Sequence, residues 1–136
     1  METKDLIIEK ESRFDFDTTV GKLIELATAR SWGNPANHDL QQTLAKSGKT
    51  VKPVKIIEIC KPQYSGQMLE KNHERIASVM MPCRISVYEK EDGKIYISMI
   101  NGHALAAAMP PSTIDIMSQA ALEIDEIVAE VILQSN

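Results

Sequence analysis

The sequence predicts an α+β domain: a mixed or antiparallel sheet of about four to five strands, covered by helices and followed by a long C-terminal helix. Three observations carry that prediction. Residues 83–88 and 95–100 alternate apolar and polar side chains on either side of Glu91-Asp92-Gly93, the pattern of a half-buried hairpin. Val54 to Cys60 is another strand-like run, apolar on both faces, as in a central strand. Ile114 to Val131 repeats apolar residues at intervals of three and four, which marks an amphipathic helix.

In chain order, the first strand is expected over about Asp5 to Ser12, around Leu6-Ile7-Ile8. Phe14 and Phe16 then alternate with Arg13, Asp15 and Asp17, which fits a strand end or the lead-in to a helix. Asp17 or Thr18 would cap that helix by accepting from a free backbone N–H. Val20, Leu23, Ile24 and Ala27 form its apolar stripe, and it should stop near Ser31. Ser31-Trp32-Gly33-Asn34-Pro35 is turn chemistry. Asn37 or Asp39 would cap a short helix through Leu40 and Leu44, with Gly48 as the left-handed residue past its end. The strand Val54 to Cys60 stops at Lys61-Pro62. Gln63 to Lys71 has helical spacing, and Asn72 offers a cap for a further helix, His73 to Met80, with Ile76, Val79 and Met80 on one side.

The hairpin turn suits a three-residue loop with a bulge, Gly93 taking positive φ. Its register sets Ile85 opposite Met99, Val87 opposite Ile97 and Tyr88 opposite Tyr96. Extended to the open end, it brings Cys83 opposite Asn101. A slip of one residue would set inward side chains against outward ones. Ala104 to Met109 is a small-residue segment before Pro110-Pro111. Ser112 and Asp115 form a capping-box pattern for the last helix. Its stripe is Ile114, Met117, Ala121, Ile124, Val128 and Val131, widened by Ile127 and Ile132. Glu123, Asp125, Glu126 and Glu130 are expected on its solvated face.

The chain of 136 residues suits a single domain, 1–136, able to build its own core. With one Trp, three Tyr and two Phe, that core is aliphatic. A net charge of −4 argues against a general nucleic-acid binder, which needs a basic face to gain from counterion release. No apolar run approaches the about 20 residues that span a bilayer, and M-E-T-K-D-L-I-I-E-K-E has no apolar signal region. The expectation is a cytoplasmic protein without membrane or nucleic-acid partners, its Cys60 and Cys83 held as thiols. H-E-x-x-H, G-x-S-x-G, a phosphate-binding glycine loop and C-x-x-C are all missing from the sequence, against the common hydrolases and nucleotide enzymes.

I-I-E-I-C-K-P at Ile56 to Pro62, M-P-C-R-I-S-V-Y-E at Met81 to Glu89, and D-G-K-I-Y-I-S at Asp92 to Ser98 together resemble the domain-of-unknown-function 302 family. The likeness runs from about Thr18 to Ile132. It implies helices packed on a mixed or antiparallel sheet, often in a dimer, and lends no established activity. Such domains also imply a short strand after the first long helix, often introduced by glycine. Here that place holds Trp32-Gly33-Asn34-Pro35-Ala36, where Pro35 disfavours a strand.

Cys60, Cys83, Asn101 and His103 are the candidate ligand-binding residues. Each cysteine stands near a proline at a strand end and beside a cation, as Cys60-Lys61-Pro62 and Pro82-Cys83-Arg84. Lys61 and Arg84 would lower a thiol pKa if close to the sulfur, although small core packing is the commoner role of cysteine. If the two strand ends are neighbours, the pair can form a reversible disulfide or share a soft metal ion. His103 follows the last strand near Cys83, with Met81, Met99 and Met109 in reach, a set that also suits a soft metal or haem iron; the plainer reading is a loop histidine. His38 and His73 read as surface or capping residues. Three functions follow: a homodimeric binding module for a small ligand, soft metal or haem; a thiol-dependent redox protein or enzyme using Cys60 or Cys83; and a structural or partner-binding domain whose contact surface is Tyr88 and Tyr96. The sequence specifies no cofactor or catalytic residue.

Overall fold

The hairpin sets the geometry of everything else in the computed structural model, which describes residues 2–134. Strands β4 (Cys83–Glu89) and β5 (Ile95–Ile100) pair antiparallel with Ile85 opposite Met99, Val87 opposite Ile97 and Tyr88 opposite Tyr96, the register read from the period-two pattern. Gly93 has φ +79°, and its N–H donates to the Lys90 carbonyl. The other strands are β1 (Ile7–Glu11), β2 (Asn37–Asp39) and β3 (Val54–Ile59), and the sheet order is β1-β5-β4-β3-β2. Every pairing is antiparallel, which decides between the two sheet types the sequence left open.

One face of this sheet is buried. Ile57, Ile59, Ile85, Val87, Ile95, Ile97 and Met99 point into the core. They meet Val20, Leu23 and Ala27 of α2 (Phe16–Ala29), and Ile127 and Val128 of α6 (Ile114–Ala129). Fully burying one such aliphatic side chain stabilises by about 1.5–3 kcal/mol before conformational entropy is subtracted. Helix α2 carries the chain from β1 at one edge to β2 at the other. Past α6, Ile132 forms a bridge with Ser12, and the Leu133 N–H donates to the Glu11 carbonyl, so the tail covers part of the β1 edge. Buried Ser12 and Thr19 satisfy each other through their hydroxyls at 2.6 Å.

Several local expectations shift. A short helical turn, α1 (Thr3–Leu6), precedes β1. Asp15, not Asp17 or Thr18, caps α2 by accepting from the Thr18 N–H, so Phe16 is already helical. β2 forms in spite of Pro35, because the proline precedes the paired residues and removes no donor from the ladder. Asp39 then caps α3 (Leu40–Ala45), and Gly48 follows with φ +80°. The segment Glu74–Met80 is a 3-10 helix with no side-chain cap. Residues three apart eclipse one another in that geometry, so Ile76 and Val79 form one ridge, and it faces outward at 69% and 86% exposure. Ala77 turns inward instead. The Ser112–Asp115 capping box is not made: Ser112 lies in a 3-10 turn, Pro111–Thr113, and its hydroxyl donates to Glu74.

Candidate functional site

Strand direction brings the candidate residues to one end of the sheet. β3 ends, β4 begins and β5 ends at the same end of the sheet, and these three strands are neighbours. Cys60 follows β3, Cys83 opens β4, Asn101 follows β5, and His103 lies in the first turn of α5 (Gly102–Ala107). Cys83 stands directly opposite Ile59, the residue next to Cys60. Two backbone hydrogen bonds with Gly33, at 2.7 and 2.9 Å, hold Cys60 in place. Its sulfur is 3.8 Å from the Ser65 hydroxyl on α4 (Pro62–Leu69).

Both cysteines are partly buried free thiols. Burial pushes the Cys83 thiol up to about 11, and neighbouring Cys60 adds to the rise. This is opposite to the activation expected from flanking cations. Arg84 alternates to the other face of β4, where its guanidinium lies 3.8 Å from the Glu58 carboxylate. Lys61 donates to Glu123 at 2.8 Å. At neutral pH Cys83 is therefore a protonated, weakly nucleophilic thiol.

Glu123 is where sequence reasoning missed most. It does not sit on the solvated face of α6. Its side chain is only 19% exposed, and it accepts from Lys61 Nζ, from the Trp32 indole N–H at 3.3 Å and from the Tyr64 hydroxyl. Lys61 Nζ also lies 5.8 Å from the Trp32 ring centre and 5.4 Å from that of Tyr64. Burial works to raise the Glu123 carboxyl, but bonds from Lys61, Tyr64 and Trp32 outweigh it and hold the group below the usual glutamate range. The same bond, aided by burial, raises the Tyr64 phenol. The cluster ties the turn after α2, the start of α4 and the middle of α6 to one carboxylate. Its only sequence signal was the single tryptophan, together with a lysine and a tyrosine around Pro62.

Asn101 and His103 have defined partners. The Asn101 side chain accepts from the Ala104 N–H, capping α5, and donates to the Asp5 carbonyl at 3.1 Å. His103 Nε2 lies 2.9 Å from Asp125 on α6. Among the described residues no three His, Cys, Asp or Glu side chains gather around a point that would hold a metal ion. Open grooves of about 500 and 420 Å³ lie elsewhere, beside residues 11–17 with the hairpin tip and between the C-terminal parts of α2 and α6. None of Cys60, Cys83, Asn101, His103 or Glu123 lines them.

The family profile "Domain of unknown function DUF302" matches residues 8–131, nearly the whole chain. The chain belongs to the DUF302 family. Its fold is also that of an uncharacterised conserved DUF302 protein from Bacillus stearothermophilus, whose crystal structure superposes with a TM-score of 0.82 at 20% identity. The match spans 92% of this chain and 97% of that one. Among curated proteins none matches the chain. The DUF302 assignment accounts for the motif blocks around both cysteines and adds no reaction to them. No helix among the described residues is long and apolar enough to cross a membrane.

Proposed function

We propose that this DUF302 chain is a homodimeric, cytoplasmic binding module that takes a small ligand at the sheet end bearing Cys60 and Cys83, with Asn101 and His103 bordering the site. One observation carries the reading. The connection between β3 and β4 leaves beside Cys60 and returns at Cys83, on neighbouring strands whose ends pair as Ile59 and Cys83. Two polarisable sulfurs thus border a single short stretch at one end of the sheet. The protonated state of Cys83 weighs against thiol catalysis and equally against metal–thiolate ligation, which favours an organic ligand. For the dimer, the supporting feature is the sheet face turned away from the core. It carries the stacked Tyr88 and Tyr96 rings, 6.3 Å apart, and the exposed Ile100.

Native mass spectrometry of freshly purified, reduced protein tests both parts. The expected spectrum is a dimer with extra mass from an organic molecule, lost in Cys60→Ala/Cys83→Ala; extra mass from a soft metal ion or haem would overturn the choice of ligand class. Extra mass retained in that variant would move the ligand away from the thiols. An apo monomer would remove both parts of the reading. Replacing Tyr88 and Tyr96 by Ser should abolish self-association; a dimer of unchanged strength would refute that face.

A further inference from the structure

We propose that Pro62–Met80 is a hinged flap over the thiol end of the sheet, and that Glu123 of α6 is its catch. The proposal gives the ligand-site reading a route of access. It is tested through the thiols themselves, so it stands or falls without any ligand.

The segment is poorly anchored by packing. Over its whole length only Met68 and Ala77 are buried, Tyr64 packs half-buried against the core beside Trp32, and the segment turns Ile76 and Val79 to the outside. Segments with few buried apolar contacts open at lower free energy than the fold as a whole. Its position is instead set by polar groups. Two described side-chain bonds stay within the segment: Gln67 to the Gln63 carbonyl and Arg75 to the Leu69 carbonyl. Those that leave it run to α6 and its lead-in, to a thiol, or from Ser65 back to the Lys61 carbonyl just before the segment. Tyr64 donates to Glu123, Glu74 accepts from Ser112, and Ser65 meets the Cys60 sulfur. Lys61, immediately before the segment, adds its ammonium to the same Glu123 carboxylate.

The two attachments differ in strength. Glu74 and Ser112 lie in exposed surroundings, where water competes for both groups. Glu123 and Lys61 have side chains only 19% and 13% exposed, so their charge-assisted bonds are less screened. Glu123 is also the point where the flap meets the rigid core, because Trp32, at 4% exposure, donates to the same carboxylate. Weakening Glu123 therefore releases the start of α4, the part of the flap in contact with Cys60. The Cys83 end follows because the segment returns there through Met81 and Pro82.

The experiment is native-state alkylation of the full chain with iodoacetamide, with each thiol followed by peptide mass mapping in zero to low urea. Glu123→Gln keeps the shape and removes the charge. It should speed modification of Cys60 and Cys83 by about tenfold or more, with a rate nearly independent of low urea, the mark of local opening. Tyr64→Phe, a milder change, should accelerate labelling by a smaller factor. Glu126→Gln is the control: Glu126 is on the same helix but pairs with Arg30, the residue just past α2, and not with the flap. Unchanged thiol rates in both Glu123→Gln and Tyr64→Phe would overturn the proposal. Equal acceleration in Glu126→Gln, or acceleration with the steep urea dependence of global unfolding, would overturn it as well.

Discussion

Cys83 offers the sharpest quantitative prediction. Its thiol sits at the start of β4, packed against the core, and burial lifts its pKa from 9.0 to about 11. A rise of two pH units lowers the thiolate fraction at pH 8 by about 100-fold. Alkylation of Cys83 in the native chain should therefore be at least that much slower than in the same chain unfolded in urea. Its rate should keep climbing to about pH 11, whereas the unfolded thiol levels off near 9. The shift is also a statement about stability. The native state retains its proton where the unfolded state has lost it, so the contribution is fully present below pH 9 and disappears between about 9 and 11. Its upper bound is about 2.7 kcal/mol, from 1.36 kcal/mol per unit. Cys83→Ala should flatten that part of the stability–pH curve. A native alkylation midpoint at or below 9, or an unchanged curve in Cys83→Ala, would refute the burial argument and return Cys83 to the list of candidate nucleophiles.

Two further predictions concern the helix that follows β5. A Cβ on Gly102 would lie 2.7 Å from the Ala121 Cβ of α6, where carbon contacts settle near 3.5–4.0 Å. Gly102→Ala should cost about 1–3 kcal/mol, read as a lowered Tm by circular dichroism, and Ala121→Gly should recover part of the loss in a double-mutant cycle. Asn101→Ala removes the α5 cap and the bond to the Asp5 carbonyl, and should cost about 1 kcal/mol in urea unfolding. Asn101→Asp, which keeps the cap acceptor, should cost less.

The sheet was legible where its pattern is periodic. Ile85, Val87, Ile97 and Met99 alternate cleanly, and a one-residue slip would bury Tyr88 and Tyr96 instead, so the register followed from the sequence. Gly48 and Gly93 were legible because each ends an element where positive φ is needed. β2 was not, because Asn37–Asp39 is too short for a period and owes its extended form to pairing with Lys55–Ile57. Ile76 and Val79 misled for another reason. They fit an α-helical stripe, but the chain winds more tightly there and aims the stripe outward. Of the candidate site, the Cys83–Asn101 end of the hairpin was legible, since the turn fixes the direction of both strands; the place of Cys60 beside it was not, because pattern alone does not set strand order. The Glu123 cluster was not. Its donors Trp32, Lys61 and Tyr64 come from separate segments, and helix periodicity alone assigns a glutamate to solvent.

The sheet order also dictates when the fold can be completed. β2 to β5 lie side by side in the order in which they are made, so that meander can close progressively as the chain leaves the ribosome. β1 cannot join it. Ile7 must wait for Ile100, and the edge of β1 is covered only when Leu133 reaches Glu11. Until then the N-terminal strand is a ribbon of unpaired backbone carrying Ile7 and Ile8, the kind of edge that recruits other chains. The consecutive charges that follow them, Glu9, Lys10 and Glu11, are placed where they deter such pairing until Ile100 and Leu133 arrive.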